Sequence, residues 1–359
     1  HRDLHSFPTR RSSDLFYTPH DIVELIAAFV EPFDGTLYDP CCGSGGMFIQ
    51  CAKYVAEKQG DIKMVNVYGQ ERDPATYRLA KMNLAMRGIS HHLGEKNADS
   101  FLNDLHKGLT FDYIMANPPF NLKKWYDISL SKDARWADYA IPPEGNANYA
   151  WILHMLSKLK AGKGVAGFLL ANGALGDGDA VAIRQKLMEK DKVEAIVVLP
   201  RELFYTTDIS VTLWILNENK KGGMWHGRKL RNRQKEILFM DLRQWTDNPV
   251  KGEQKKKVEL KADQIKRAAE IYFKWQSEGT DGSKYAEPEL YKSIGFEELK
   301  SNGYSLVPSR YIEFVDRDTT IDYHQVLTET AATVSDLLKR QEQNDKPLRN
   351  ALKTLGYDC

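Results

Sequence analysis

From Phe16 onward, short apolar runs of strand length alternate with stretches of helical period, and this alternation restricts the fold more than any other feature. Strands are expected over Thr36–Pro40, Met64–Gly69, Phe111–Ala116, Gly164–Ala171, Val193–Leu199 and Val211–Leu216. Between them Asp21–Val30, Ile49–Lys58, Pro74–Arg87 and Tyr149–Lys160 read as helices. Pro19 falls in the first turn of the first helix, and Gly88 and Gly162 stand where two others close. Strands separated by helices give a mainly parallel α/β sheet with helices on both faces. The longest apolar runs, such as Val165–Ala171, are far too short to cross a bilayer, which excludes a membrane span. At 359 residues the chain has room for one large domain or two ordinary ones.

The two ends read differently. His1–Leu15 has no period and no signal-peptide core, and it resembles a translated sequencing-adapter fragment. Residues 1–15 are therefore expected to be a non-native or disordered leader that packs against nothing. After Glu218 the composition turns basic, and Lys220–Lys235 reads as a solvated face more than a nucleic-acid contact. A helix over Gln264–Trp275, a loop over Gln276–Ala286 and a docking segment at Gly303–Ile312 follow. Tyr323–Gln343 is a polar helix whose Leu327, Ala331, Val334 and Leu338 step by 4, 3, 4. That seam fits either a coiled-coil-like contact with a partner or packing on its own domain.

The first strand runs into Asp39-Pro40-Cys41-Cys42-Gly43-Ser44-Gly45-Gly46, and a helix follows. Glycines in such a turn let a ligand approach the backbone closely. The turn alone fits many nucleotide sites. Glu71 narrows the choice, because a carboxylate just past the second strand can accept both ribose hydroxyls of an adenosyl ligand. No GxGxxG phosphate turn is present, which favours S-adenosyl-L-methionine, a cofactor without a pyrophosphate, over NAD. Asp99 lies where a third strand should end; it either accepts from the adenine amino group or caps the following turn.

Asn117-Pro118-Pro119-Phe120, directly after Phe111–Ala116, is the most specific motif in the chain. Two prolines fix the backbone and leave carbonyls without a sheet partner. The Asn117 side-chain oxygen and the Pro118 carbonyl can then face one exocyclic amino group, and Phe120 can stack on a flat ring. Trp125, Tyr126 and Trp136 beyond this loop are either DNA contacts or buried lid packing. Cys41, Cys42, Cys51 and Cys359 form no CxxC pair and have no histidine at zinc spacing. No metal or disulfide framework is expected, and free thiols point to the cytoplasm. His91-His92 reads as a solvated loop. The net charge of +1 means that any basic surface is local or supplied by a partner.

Asp39–Gly46 with Asn117–Phe120 resembles the amino-group DNA methyltransferases, adenine-specific branch, and most closely the methylation (M) subunit of type I restriction-modification systems. Gly69–Asn83, Leu199–Leu216 and Asn302–Tyr311 resemble further signatures of that family. The resemblance implies that Phe16, Tyr17, Thr18, Pro19 and His20 contact the cofactor, together with Asp39, Pro40, Gly43–Gly46, Glu71 and Asp99. It implies that Asn117, Pro118, Pro119 and Phe120 are catalytic. It also implies an S-adenosylmethionine-dependent methyltransferase (Rossmann-like) fold, a seven-stranded, mostly parallel α/β sheet with Val211–Leu216 antiparallel, over residues 16–245. A helical C-terminal extension with a partner-binding helix would occupy 246–359. Double-stranded DNA, a specificity (S) subunit, a second M subunit and a restriction (R) subunit are the implied partners. The family's helical N-terminal domain has no counterpart ahead of Phe16, so an N-terminally truncated chain is expected, and Cys41-Cys42 replace small residues. Methylation of a protein glutamine or an RNA guanine, or a non-catalytic scaffold for the specificity subunit, remain the alternatives.

Overall fold

The computed structural model describes residues 18–58, 60–204, 209–245, 258–315 and 323–355. The expected leader, Phe16, Tyr17 and Cys359 lie outside the described residues. The chain divides into two units at Glu313/Phe314.

The first unit opens with α1 (His20–Val30), β1 (Gly35–Asp39), α2 (Gly46–Glu57), β2 (Val65–Gly69), α3 (Pro74–Ala85) and β3 (His91–His92). It continues with β4 (Tyr113–Ala116), α4 (Asn148–Ser157), β5 (Val165–Ala171), α5 (Val181–Glu189), β6 (Val193–Val198) and β7 (Val211–Asn217). These seven strands stand in the order β3-β2-β1-β4-β5-β7-β6. All pairings among β1 to β5 are parallel, and β7 runs antiparallel to both β5 and β6. That is the expected sheet, antiparallel strand included. Local chemistry agrees: Asp73 caps α3 by accepting from the Thr76 amide at 2.8 Å, and Pro74 fills its first turn.

The sheet does not stop at seven. A hairpin of β8 (Gly223–Trp225) and β9 (Arg228–Leu230) is followed by β10 (Glu236–Asp241), α6 (Ala262–Gln276), β11 (Ala286–Glu287), β12 (Tyr291–Gly295) and α7 (Phe296–Ser301). β10 pairs parallel with β6, and β12 and β11 add antiparallel strands beyond it, making ten. The expected boundary at 245/246 thus falls inside the first unit. Three expectations are corrected. His91-His92 is an edge strand parallel to β2 rather than a loop. Part of the expected loop after α6 is strand. The basic run is solvated at Lys221, Lys229 and Lys235, but two of its cations are not: Lys220 is 3% exposed and holds Asp191 and two carbonyls, while Arg233 is fully buried against Glu194. Those cations brace the sheet extension onto β6 from inside.

Alternating strand residues divide the core between two faces. Leu37, Tyr113, Met115, Val165 and Leu169 face one side with α1, α2, α3 and α6. Tyr38, Ile114, Ala116, Ala166 and Phe168 face the other with α4, α5 and Leu299 of α7. Trp125 and Trp136 are 4% and 2% exposed, which makes them buried packing and not a DNA-facing surface. The 303–312 segment docks through buried Leu306, Tyr311 and Ile312. The second unit contains α8 (Tyr323–Thr354), longer than expected, in which Leu327, Val334 and Leu338 are exposed.

Candidate functional site

β1, β2 and β4 lie side by side, and the residues following their carboxyl ends converge on one cleft. Parallel sheets place ligands there, because the loops leave the strands on that side. The cleft has a volume of about 190 Å³, whereas two further cavities hold about 10 Å³ each, room for little more than one water.

After β1 the backbone turns through Gly43 at φ 55° and Gly45 at φ 80° before α2 begins. A side chain at Gly45 would meet Leu84 at 3.3 Å. Glu71, after β2, fastens the turn: one carboxylate oxygen accepts from the Gly43 amide at 3.0 Å, the other from the Asp73 amide at 2.7 Å. Each oxygen retains a lone pair for a ligand. Burial raises the Glu71 pKa, and those backbone bonds oppose the rise. Asp39 is 2% exposed and accepts from the Cys41 amide at 2.9 Å. Burial, with a smaller push from the Glu71 charge, raises its pKa to about 7. Burial likewise keeps Cys41 and Cys42, both lining the cleft, as neutral thiols.

Asp99 faces the cleft without ending a strand, since β3 stops at His92. Its loop is instead pinned to the end of β2, where Gln70 donates to the Ala98 carbonyl and the Ala98 amide donates to the Glu71 carbonyl. One Asp99 oxygen accepts from the Phe101 amide at 2.9 Å, and the other lies 3.5 Å from Arg72. Both expected roles are therefore open to it, the turn cap being already filled.

The Asn117 side chain donates through Nδ2 to Thr18 Oγ1 at 2.9 Å. Its Oδ1 is buried and has no partner among the described residues. Pro118 is buried, Pro119 lines the cleft, and the Phe120 ring meets Phe204 edge-on with centroids 5.8 Å apart. The loop ends on Asn121 at φ 52°, locked by Asn148: the Asn121 amide donates to Asn148 Oδ1, and Asn148 Nδ2 donates back to Asn121 Oδ1 at 2.9 Å.

The cleft thus brings together Thr18, Asp39, Pro40, Gly43, Ser44, Gly46, Glu71, Asp99, Asn117 and Pro119. Pro19, His20, Gly45, Pro118 and Phe120 do not line it; His20 opens α1 and pairs with Glu24 at 3.7 Å. Sequence reasoning missed Met47, Arg72, Ser100, Leu122 and Trp151. Trp151 is 4% exposed and its indole N–H has no partner among the described residues. Within the apolar helix α4 nothing distinguishes it from a core residue by sequence. Four carboxylates, Asp39, Glu71, Asp73 and Asp99, and the orphaned Asn117 Oδ1 suit a ligand rich in hydroxyl and amino donors and bearing positive charge, while the Trp151 N–H offers one donor; they do not suit a pyrophosphate. Among the described residues no group of three metal-ligating side chains occurs.

The family described as N-6 DNA methylase matches residues 4–319, a match that begins inside the segment expected to be foreign. The chain is 37% identical to the type I restriction enzyme HindI methylase subunit of Haemophilus influenzae over 97% of its own length and 75% of that protein. It is 33% identical to the MjaIX methylase subunit of Methanocaldococcus jannaschii, covering 95% of itself and 59% of that protein. Among solved structures, a type I restriction-modification methyltransferase subunit from Streptococcus thermophilus aligns with TM-score 0.70 at 26% identity, over 84% of this chain and 60% of that one. The EcoKI M protein aligns with TM-score 0.61 at 18% identity over 92% of this chain and 74% of that one, a likeness of fold.

Proposed function

The chain belongs to the N-6 DNA methylase family, and on that premise we propose that it is the modification (M) subunit of a type I restriction-modification system, moving a methyl group from S-adenosyl-L-methionine to N6 of adenine in DNA. Its fold is that of the S-adenosylmethionine-dependent methyltransferases. The single observation that supports this chemistry best is Asn117: Nδ2 is tied to Thr18, so Oδ1 is left as a buried acceptor awaiting a donor.

The cofactor supplies a methyl group on a positively charged sulfur. Thr18, Asp39, Ser44, Glu71 and Asp99 would hold it, Glu71 through the ribose hydroxyls and Asp99 through the adenine amino group. The target adenine must leave the duplex, because its amino group is unreachable while stacked and paired. Asn117 Oδ1 and the Pro118 carbonyl then accept its two amine hydrogens. Two acceptors draw electron density onto the nitrogen and aim its lone pair. Phe120 offers the base a ring to stack on. The Asp39 and Glu71 carboxylates hold backbone amides and are not placed as a base. The proton leaves once the nitrogen has become cationic.

The partners in this reading are double-stranded DNA, a specificity (S) subunit that reads the sequence, a second M subunit and a restriction (R) subunit, all in the cytoplasm. The exposed seam of α8 would dock the S subunit. Base-resolved methylation of host DNA with and without the gene tests the activity. Asn117→Ala tests the mechanism: removing one preorganised polar contact at a reacting centre costs about 3 kcal/mol, or roughly a hundredfold in rate. Calorimetric cofactor affinity should stay near normal while single-turnover methylation falls at least that far. Near-normal turnover would overturn the mechanism.

A further inference from the structure

The loop that carries Asp99 is gripped from behind by one guanidinium. Arg135 Nη1 donates to the Ser100 carbonyl at 2.8 Å, and Nη2 donates to the Phe101 carbonyl at 2.5 Å. Its Nε and Nη2 also reach the Asp133 carboxylate at 2.8 and 2.7 Å, which sets the plane of the fork. The fork lies 5.0 Å from the Trp136 ring centroid, and the side chain is only 10% exposed. Nη1 further approaches Nδ1 of the fully buried His154 at 2.9 Å. A guanidinium only donates, so Nδ1 must accept, and His154 carries its proton on Nε2. That nitrogen lies 3.1 Å from the hydroxyl of Tyr38, the residue before Asp39. Ser100 closes the circuit, its hydroxyl donating to the Pro40 carbonyl at 2.5 Å. One side chain, sited beyond the Asn117–Phe120 loop, therefore holds the Asp99 loop directly and the end of β1 through two relays.

We propose that Arg135 is a positioning residue for the adenine end of the cofactor site, acting through Asp99. The inference rests on the reading that Asp99 accepts from the adenine amino group. A lysine keeps the charge but cannot span two carbonyls and a carboxylate in one plane. In Arg135→Lys, Asp99 should lose its aim while the turn after β1 and Glu71 stay in place.

The test is calorimetric binding of S-adenosylhomocysteine, and of its 6-oxo (inosyl) analogue, to the wild type, Arg135→Lys, Asp99→Ala and the double variant. Each single variant should bind S-adenosylhomocysteine about tenfold more weakly. The double variant should bind no more than about twofold more weakly than Asp99→Ala, because coupled residues are not additive. Preference for the 6-amino over the 6-oxo ligand should shrink in both single variants, a change that general loosening would not produce. Should Arg135→Lys fail to fold, Asp133→Asn, which keeps the Oδ1 that accepts from the Arg135 amide but loosens the fork, must give a smaller loss of the same kind. Independent, multiplying effects, or undiminished 6-amino preference in Arg135→Lys, would overturn the role of Arg135. Unchanged binding in Asp99→Ala would overturn the assignment of Asp99, and a wild type that binds neither ligand would overturn the cofactor site itself.

Discussion

Asn117 and Thr18 are separated by 99 positions and meet through one hydrogen bond that decides which way an amide points. An amide held by its nitrogen presents its oxygen, and that oxygen is the acceptor the chemistry needs. Thr18→Val keeps the shape and removes the hydroxyl. A lost hydrogen bond is worth about 1 kcal/mol, so turnover at saturating cofactor should fall roughly fivefold, beside whatever affinity is lost with a hydroxyl that lines the cofactor cleft. Single-turnover assays beside calorimetry measure both. Asp39 makes a second residue-scale prediction. Its carboxyl is raised from 3.8 to about 7 in the fold, so between those values the folded state binds more protons than the unfolded one. Its contribution to stability is therefore greatest at the acid end of that window and falls as pH rises towards 7, by on the order of a few kcal/mol in the limit, while burial of His106, His154 and His226 acts in the opposite direction. Glu31, raised to about 7 by burial despite Arg228 beside it, adds in the same direction as Asp39. Denaturant melts from pH 5 to 8 isolate the Asp39 contribution as a difference: the wild type should lose stability relative to Asp39→Asn as pH rises across that range.

At the scale of elements, the sheet extension depends on a charge pair inside the protein. Arg233 Nε donates to Glu194 Oε1 at 2.8 Å, Gln276 donates to the same oxygen at 2.9 Å, and both charged side chains are fully buried. The pair joins β6 to the stretch leading into β10 and to the end of α6. Removing one member leaves a buried charge alone, which costs about 3–5 kcal/mol. Arg233→Met should lose that much in urea denaturation, and Arg233→Met with Glu194→Leu should recover part of it. This pair also shows where the sequence stops being legible. The Rossmann-like strands are most readable where they are solid apolar runs, as in Val165–Ala171, all of it buried. β10 is an equally good run, but Lys220–Lys235 ahead of it reads as surface, since burial of an arginine depends on a carboxylate far along the chain. β3, β11 and β12 carry two to five residues and half-polar patterns, too little for a period to register. The site was legible where backbone conformation demanded particular residues, as in Gly43–Gly46 and Asn117–Phe120. Trp151, Arg72 and Arg135 were not, because their importance comes only from what folding places opposite them.

For the whole molecule, the division at Glu313/Phe314 separates the cleft-bearing unit from α8. Leu327 is 69% exposed and Leu338 57%, costly for a helix meant to stand alone and useful for one meant to be covered. Deleting residues 323–359 should abolish co-purification with a specificity subunit and leave S-adenosylmethionine affinity unchanged; a deleted chain that still assembles would place the docking elsewhere. The strand order has a further consequence, in time rather than in space. β7 sits between β5 and β6 but follows both in sequence. A ribosome delivers β5 and β6 first, and neither can close on the other, because the strand that fills the gap has yet to be made. Until Asn217 emerges, a wholly apolar strand and one apolar but for Glu194 offer open edges to any neighbouring chain. The interval between Val198 and Val211 is thus the most hazardous part of synthesis. A translational pause there would lengthen the exposure, and yield from such a message should depend on chaperones far more than yield from one that pauses after Asn217.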